Sequence, residues 1–159
     1  MRRNKEVLEK ARECAFLLLK FRLRSEKEVY VRLKRKKFAE DVIKKTITFL
    51  KDKQFISDSV FAKTWVSSRV KRKLGLRGIK EELKLKGVDE GLIDTAVSEI
   101  KKDYCESKII RDIAEERLSK LKGIEPYQAK QKVYAYLLRR GFTLETIMDI
   151  LNQLCSQAN

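Results

Sequence analysis

The side chains able to do covalent or acid–base chemistry are few in this chain of 159 residues, and their spacing is poor for it. Adjacent carboxylates occur at Glu81-Glu82, Glu115-Glu116 and Glu40-Asp41. Neighbours in a helix point about 100° apart, so such pairs do not converge on one substrate atom. Solvated helix faces are the plain reading. The chain has no histidine, which removes imidazole both as a base for a nucleophilic cysteine and as a metal ligand. Cys14, Cys105 and Cys155 are widely spaced and form no Cys-x-x-Cys, so a thiolate metal site is not expected. Cys14 and Cys155 read as small core-facing residues in a reducing compartment. No Gly-x-x-x-x-Gly-Lys-Ser/Thr loop is present. Gly75-Leu-Arg-Gly78 is glycine-rich and basic but falls between two helical patterns, where a turn is a simpler reading than a phosphate loop. No enzymatic activity, cofactor or metal is expected.

The cations carry the stronger signal. The formal net charge is +15, from 38 Lys and Arg against 23 Asp and Glu. It is concentrated at one end: residues 1–53 have net +10, residues 54–102 net +4 and residues 103–159 net +1. Arg32, Lys34, Arg35, Lys36 and Lys37 crowd the end of one helical pattern. Arg69, Lys71, Arg72 and Lys73 end another, with Arg77 and Lys80 in the helix that follows, and Arg139 and Arg140 end a third. Cations at helix C-termini are partly ordinary compensation of the helix dipole. Five within residues 32–37 exceed that need, and an extended surface for phosphates or an acidic protein groove is the functional alternative. Trp65, Phe61 and Phe142 fall on apolar faces and read as core. Tyr127 and Tyr136 are the only aromatic candidates for stacking on bases beside the cations.

The elements that position these residues are helices. Only six Gly and one Pro occur, and 38% of residues are charged. No window approaches the roughly 18 apolar residues of a membrane span, and the N-terminal residues lack a signal-peptide core, so a cytoplasmic protein is expected. One pattern occurs three times, beginning at Phe38, Val88 and Phe142, a period of about 50 residues that implies stacked helical units. Three- and four-residue apolar steps predict a first helix over 5–23. Ser25-Glu26-Lys27-Glu28 fits a capping box opening the second, and Val42, Ile43, Thr46, Ile47 and Leu50 stripe the third. In the next unit Ser57 or Asp58 caps a helix, Gly75 interrupts, Gly87 has the identity of a left-handed helix terminator, and Asp89 caps the sixth helix. The last unit has a helix over 105–121, Pro126 in a first turn, Gly141 as terminator and Thr143 as cap. Lys37 stands where Gly87 and Gly141 stand in the other units, so a left-handed Lys37 at a cost of about 1 kcal/mol, or a different turn, is expected. The expected fold is all-α, three tandem three-helix (helix-turn-helix-like) repeats, over 1–53, 54–102 and 103–159.

The segment from Phe55 to Arg69, followed by Gly75-Leu-Arg-Gly-Ile79 and Glu82-Leu-Lys-Leu-Lys-Gly-Val88, resembles the central signature of the RecX family. Ser25-Glu-Lys-Glu-Val-Tyr-Val-Arg-Leu33 and Tyr136-Leu-Leu-Arg-Arg-Gly-Phe142 fit the same family, so the resemblance spans nearly the whole chain. The family pattern often has Pro where Leu76 stands and a basic residue where Gly78 stands. The resemblance implies a bacterial regulator that binds RecA recombinase filaments on DNA, lodges in the filament groove, and suppresses ATPase, strand exchange and coprotease functions. It implies three tandem three-helix units in an elongated, curved array, with the RecA filament as partner; the charge adds an expectation of weak non-specific DNA contact, the hydropathy one of no membrane, and a monomer is the default. A direct DNA-binding module acting through phosphates is the competing expectation. A sequence-specific reader would present Arg, Asn or Gln to base edges, whereas the second helix offers mostly Lys and Arg. An RNA-associated structural protein has no particular residue in its favour.

Overall fold

A computed structural model describes residues 2–156, with side chains from residue 5. Among the described residues the secondary structure is entirely helical. The order is α1 (Arg2–Phe21), α2 (Glu26–Arg35), α3 (Glu40–Asp52), α4 (Asp58–Lys71), α5 (Leu76–Leu85), α6 (Glu90–Lys101), α7 (Glu106–Lys120), α8 (Pro126–Arg139) and α9 (Leu144–Ser156). No helix is long and apolar enough to cross a membrane among these residues. The chain divides into two compact units, Met1–Trp65 with Leu83–Ala96, and Val66–Glu82 with Val97–Asn159.

The helix ends follow from local chemistry. Ser25 caps α2 with both halves of the box present: its Oγ accepts from the Glu28 amide, and the Glu28 carboxylate accepts from the Ser25 amide. The C-terminal ends of α2, α5 and α8 share one motif. Lys37, Gly87 and Gly141 have φ of 63°, 75° and 84°. Their amides donate to the carbonyls three residues back, and the next amides, of Phe38, Val88 and Phe142, donate five residues back. The left-handed Lys37 was one of the two expected outcomes. Ser57, rather than Asp58, caps α4: its Oγ accepts from the Val60 amide. Thr143 precedes α9, but its hydroxyl pairs with that of Thr146.

In the first unit α1, α2 and α3 pack around Ala11, Ala15, Val29, Leu33, Ile43, Ile47 and Leu50. Full burial of each larger aliphatic side chain contributes about 1.5–3 kcal/mol. In the second unit α7, α8 and α9 enclose Ile110, Val133, Leu137, Phe142, Ile147 and Leu151, all 0–1% exposed. Phe61 and Phe142 are buried as expected. Trp65 is only half-buried: it stacks on Phe61, and the Lys86 ammonium sits 4.2 Å from its ring. Cys14 and Cys155 are half-buried and Cys105 is exposed.

Successive helix triplets meet through a recurring joint. In the first unit the Ser25 hydroxyl donates to the Lys86 carbonyl at 2.7 Å, and the Glu26 amide donates to Asp58 Oδ1 at 2.8 Å. In the second unit the Gly75 amide donates to the Arg140 carbonyl at 2.8 Å, and the Leu76 amide donates to Glu106 Oε1 at 2.8 Å. The residue that opens α4 or α7 thus accepts the first amide of α2 or α5. These amides have no partner inside their own helix. Burial raises the carboxyl pKa of Asp58 and of Glu106, against the pull of those amides. Tyr104 donates to the Leu74 carbonyl at 2.7 Å, and burial, with Glu106 nearby, pushes its phenol up to about 12. At this second joint the backbones nearly touch. A Cβ on Gly75 would stand 2.3 Å from the Gly141 carbonyl carbon, and one on Gly78 would stand 2.7 Å from Gly141 Cα. Gly78, where the RecX pattern often has a basic residue, is therefore required by the fit of this turn.

Candidate partner-binding surfaces

The cations singled out in the sequence fall into two groups that differ in how they are used. Arg32, Lys34, Arg35, Lys36 and Lys37 all lie exposed in the first unit. α2 places the first three, and the left-handed turn after it carries Lys37 outward. Lys34 is tied locally, since its ammonium donates to the Tyr30 hydroxyl, which in turn donates to Glu40. That hydrogen bond is the main cause of its raised pKa. Among the described residues no acidic group pairs with Arg32, Arg35, Lys36 or Lys37. One end of α2 therefore presents unneutralised charge. At its other end, Glu28 accepts from Arg22 at 2.6 Å and Lys86 at 3.0 Å. Burial pushes the Glu28 carboxyl up, but these two donors and the Ser25 amide outweigh it and hold the pKa at about 2.

In the second unit several cations are structural. Arg69 Nε donates to Glu82 at 2.6 Å. Arg77 Nε donates to the Phe142 carbonyl. Arg140 donates from Nε to the Lys73 carbonyl and from Nη2 to the Arg72 carbonyl, which ties the end of α8 to the turn after α4. Lys80 is half-buried, whereas Lys71, Arg72, Lys73 and Arg139 are exposed. Lys73, Arg139 and Arg140 share one concavity with Arg117, Lys120 and Lys132. Those last three were not singled out from the sequence. They lie in the segment of lowest net charge, and only their helical register, which turns them toward one face, would have marked them.

Tyr127 is 65% exposed. Tyr136 is half-buried, with the Arg117 guanidinium 3.2 Å from its ring centroid. That guanidinium covers one face of the ring. Among the described residues no group of His, Cys, Asp and Glu is placed to hold a metal.

Comparison with known families accounts for the triplets. Residues 11–50 match the RecX first three-helix domain, residues 57–97 the second and residues 106–151 the third. The chain belongs to the RecX family. It is 38% identical over 145 residues to the regulatory protein RecX of Chlorobium phaeobacteroides, covering 91% of this chain and 93% of that protein. It is 33% identical over 152 residues to the regulatory protein RecX of Clostridium botulinum, covering 94% of this chain and 71% of that protein. The crystal structure of RecX from Lactobacillus salivarius superposes with a TM-score of 0.80 at 24% identity, over 94% of this chain and 97% of that one, which shows the same fold. The all-α tandem-repeat architecture expected from the periodicity is thereby established, and the RecX resemblance read from its motifs with it. The named relatives are regulatory proteins.

Proposed function

We propose that this protein regulates a RecA-type recombinase by binding its filament on DNA, lowering ATPase, strand-exchange and coprotease activity and so acting in DNA repair, recombination and the SOS response. It works in the cytoplasm as a monomer, and the repeats over 1–53, 54–102 and 103–159 each contribute a basic surface. The observation that supports this most directly is the run Arg35-Lys36-Lys37, exposed and without an acidic partner among the described residues, on a chain whose relatives are RecX regulators. Unpaired cations held at a rigid helix end retain their full attraction for phosphates or acidic side chains of a partner. The remaining proposed contacts are Arg32, Lys34, Lys71, Arg72, Lys73 and Arg139, with Arg69, Arg77, Lys80 and Arg140 at the margins of the same surfaces.

The test is a titration of DNA-stimulated RecA ATPase with this protein at fixed salt and excess single-stranded DNA. Inhibition at substoichiometric protein, insensitive to added DNA, supports the filament as target. Absent inhibition, or inhibition relieved by more DNA, overturns it. The second reading, a direct DNA-binding module acting through phosphates, then leads; the predominance of Lys and Arg over Asn and Gln on α2 favours it over sequence-specific reading.

A further inference from the structure

The concavity between α7 and α8 has an electrostatic character that its segment's net charge conceals. Residues 103–159 have nine Lys and Arg against eight Asp and Glu. Five of those nine cations, Arg117, Lys120, Lys132, Arg139 and Arg140, line this one cavity of about 540 Å³, and Lys73 joins them from the turn after α4. Glu116 is the single carboxylate in the lining, and it is already paired with Lys120. The floor is apolar, formed by Ile113, Leu121, Val133 and Ala135. The volume lies within the range of small-ligand sites.

Two of the cations are fixed in place. The Tyr136 ring lies beneath the Arg117 guanidinium, and the Tyr136 hydroxyl accepts from Arg140 Nη1 at 3.1 Å. Arg140 is anchored on its other side by the Lys73 carbonyl. Arg140 spends most of its N–H groups on the Lys73 and Arg72 carbonyls and the Tyr136 hydroxyl, so it contributes fixed charge, whereas the planar Arg117 guanidinium, held over the ring, loses little freedom when an anion arrives. Lys132 and Arg139 are exposed on the rim and adapt to it. Like charges gathered on concave walls over an apolar floor raise the local potential, which an incoming polyanion relieves.

We propose that this cavity of the third repeat binds a ligand carrying two or more neighbouring phosphates. The chemistry is shared by a phosphodiester strand and a free polyphosphate. The site goes beyond filament regulation, since it is defined by the cavity itself and needs no recombinase.

The test uses the full chain and two probes: a fluorescein-labelled 15-nucleotide oligothymidylate, and inorganic tripolyphosphate followed by calorimetry. The variant is K132E/R139E, at two exposed positions that hold no structural hydrogen bond, with K44E/K45E on α3 as a charge-matched control. Circular dichroism confirms that both variants fold. The expected result is a loss of about tenfold or more in affinity for at least one probe in K132E/R139E and little change in the control. For the single strand, log affinity against log salt should flatten by about 1.4, the share of two phosphate contacts. Loss for the oligonucleotide alone identifies a strand as occupant, loss for tripolyphosphate alone identifies a free polyphosphate, and both support the site. Wild-type affinity of K132E/R139E for both probes, no binding of either probe by the unmodified chain, or an equal loss in the control, overturns the proposal.

Discussion

Replacing Glu28 by Gln removes one negative charge and little else. Gln is accepted at this position of a capping box, so the Ser25 amide keeps its acceptor and α2 keeps its start. What is lost is the charge that Arg22 and Lys86 share. The carboxyl sits at about 2 instead of the usual 4.5. At roughly 1.4 kcal/mol per pKa unit the shift corresponds to at most ~3.5 kcal/mol of linked stability. The Glu28 side chain is 19% exposed and that of Arg22 is 40% exposed, so solvent screens part of it. A loss of about 1–2 kcal/mol is expected after that discount. For a chain of this length this lowers the melting temperature by about 2–8 °C. The sign with pH is definite. A depressed carboxyl stabilises the fold above its unfolded pKa and loses that contribution as pH falls through the folded one. The gap between the wild type and Glu28→Gln is therefore full at pH 7, narrows below about pH 4.5, and closes toward pH 2. Denaturant unfolding followed by circular dichroism across that range measures it. Equal stabilities at pH 7 would refute the ion-pair account, and so would a gap that persists unchanged at the acid end.

Four further outcomes are expected. Reversing Arg35, Lys36 and Lys37 to Glu should weaken filament binding and its salt dependence while the melting transition stays put; unchanged affinity at matched salt counts against the α2 surface. Gly87→Val should lower the melting temperature, because a β-branched residue suits a φ of 75° poorly and its Cβ would meet the Lys27 side chain at 2.3 Å. Gly75→Ala should destabilise more than an Ala replacement at Gly123, whose Cβ meets nothing within 4 Å and whose cost is that of its positive φ of 95° alone; equal melting curves would argue against the close backbone joint. Glu106→Gln should match or exceed wild-type stability at neutral pH, since it keeps an acceptor for the Leu76 amide without a buried charge, whereas Glu106→Leu should cost about 1–3 kcal/mol. Because burial raises the Glu106 pKa, the advantage of Gln should shrink as pH falls and the native carboxyl becomes neutral.

Much of this protein was legible residue by residue. The apolar stripe of α3, the capping box at Ser25, the terminators Gly87 and Gly141, and Pro126 at the head of α8 depend on chemistry within one or two helical turns. Helix periodicity and capping are local, so the string of residues contains the whole interaction. At Lys37, the residue that breaks the glycine pattern, the sequence left a left-handed turn and a different turn both open, and the structure has the left-handed one with the same terminating hydrogen bonds. Cation clusters contiguous in sequence, such as 32–37, were visible for the same reason.

The joints and the cavity were a different matter. Asp58 serves the amide of Glu26 across 32 residues, and Glu106 serves that of Leu76 across 30. Each looks like an ordinary acidic residue in a first helical turn, where the dipole favours it anyway. Arg140 reads as a C-terminal cation, yet it ties a turn 67 residues earlier. Gly78 reads as a departure from its family's pattern until Gly141 is found against it. The cavity draws on Lys73, α7 and α8 within a segment of nearly balanced charge, so no running sum along the chain reveals it. By itself the sequence determined the helices, their faces, their ends and the family. Only the tertiary structure decided which helix ends would supply each other's missing partners and which cations would share one wall. Those outcomes depend on the angles and distances at which helices pack, and such geometry is set by the whole core rather than by any neighbourhood of the chain.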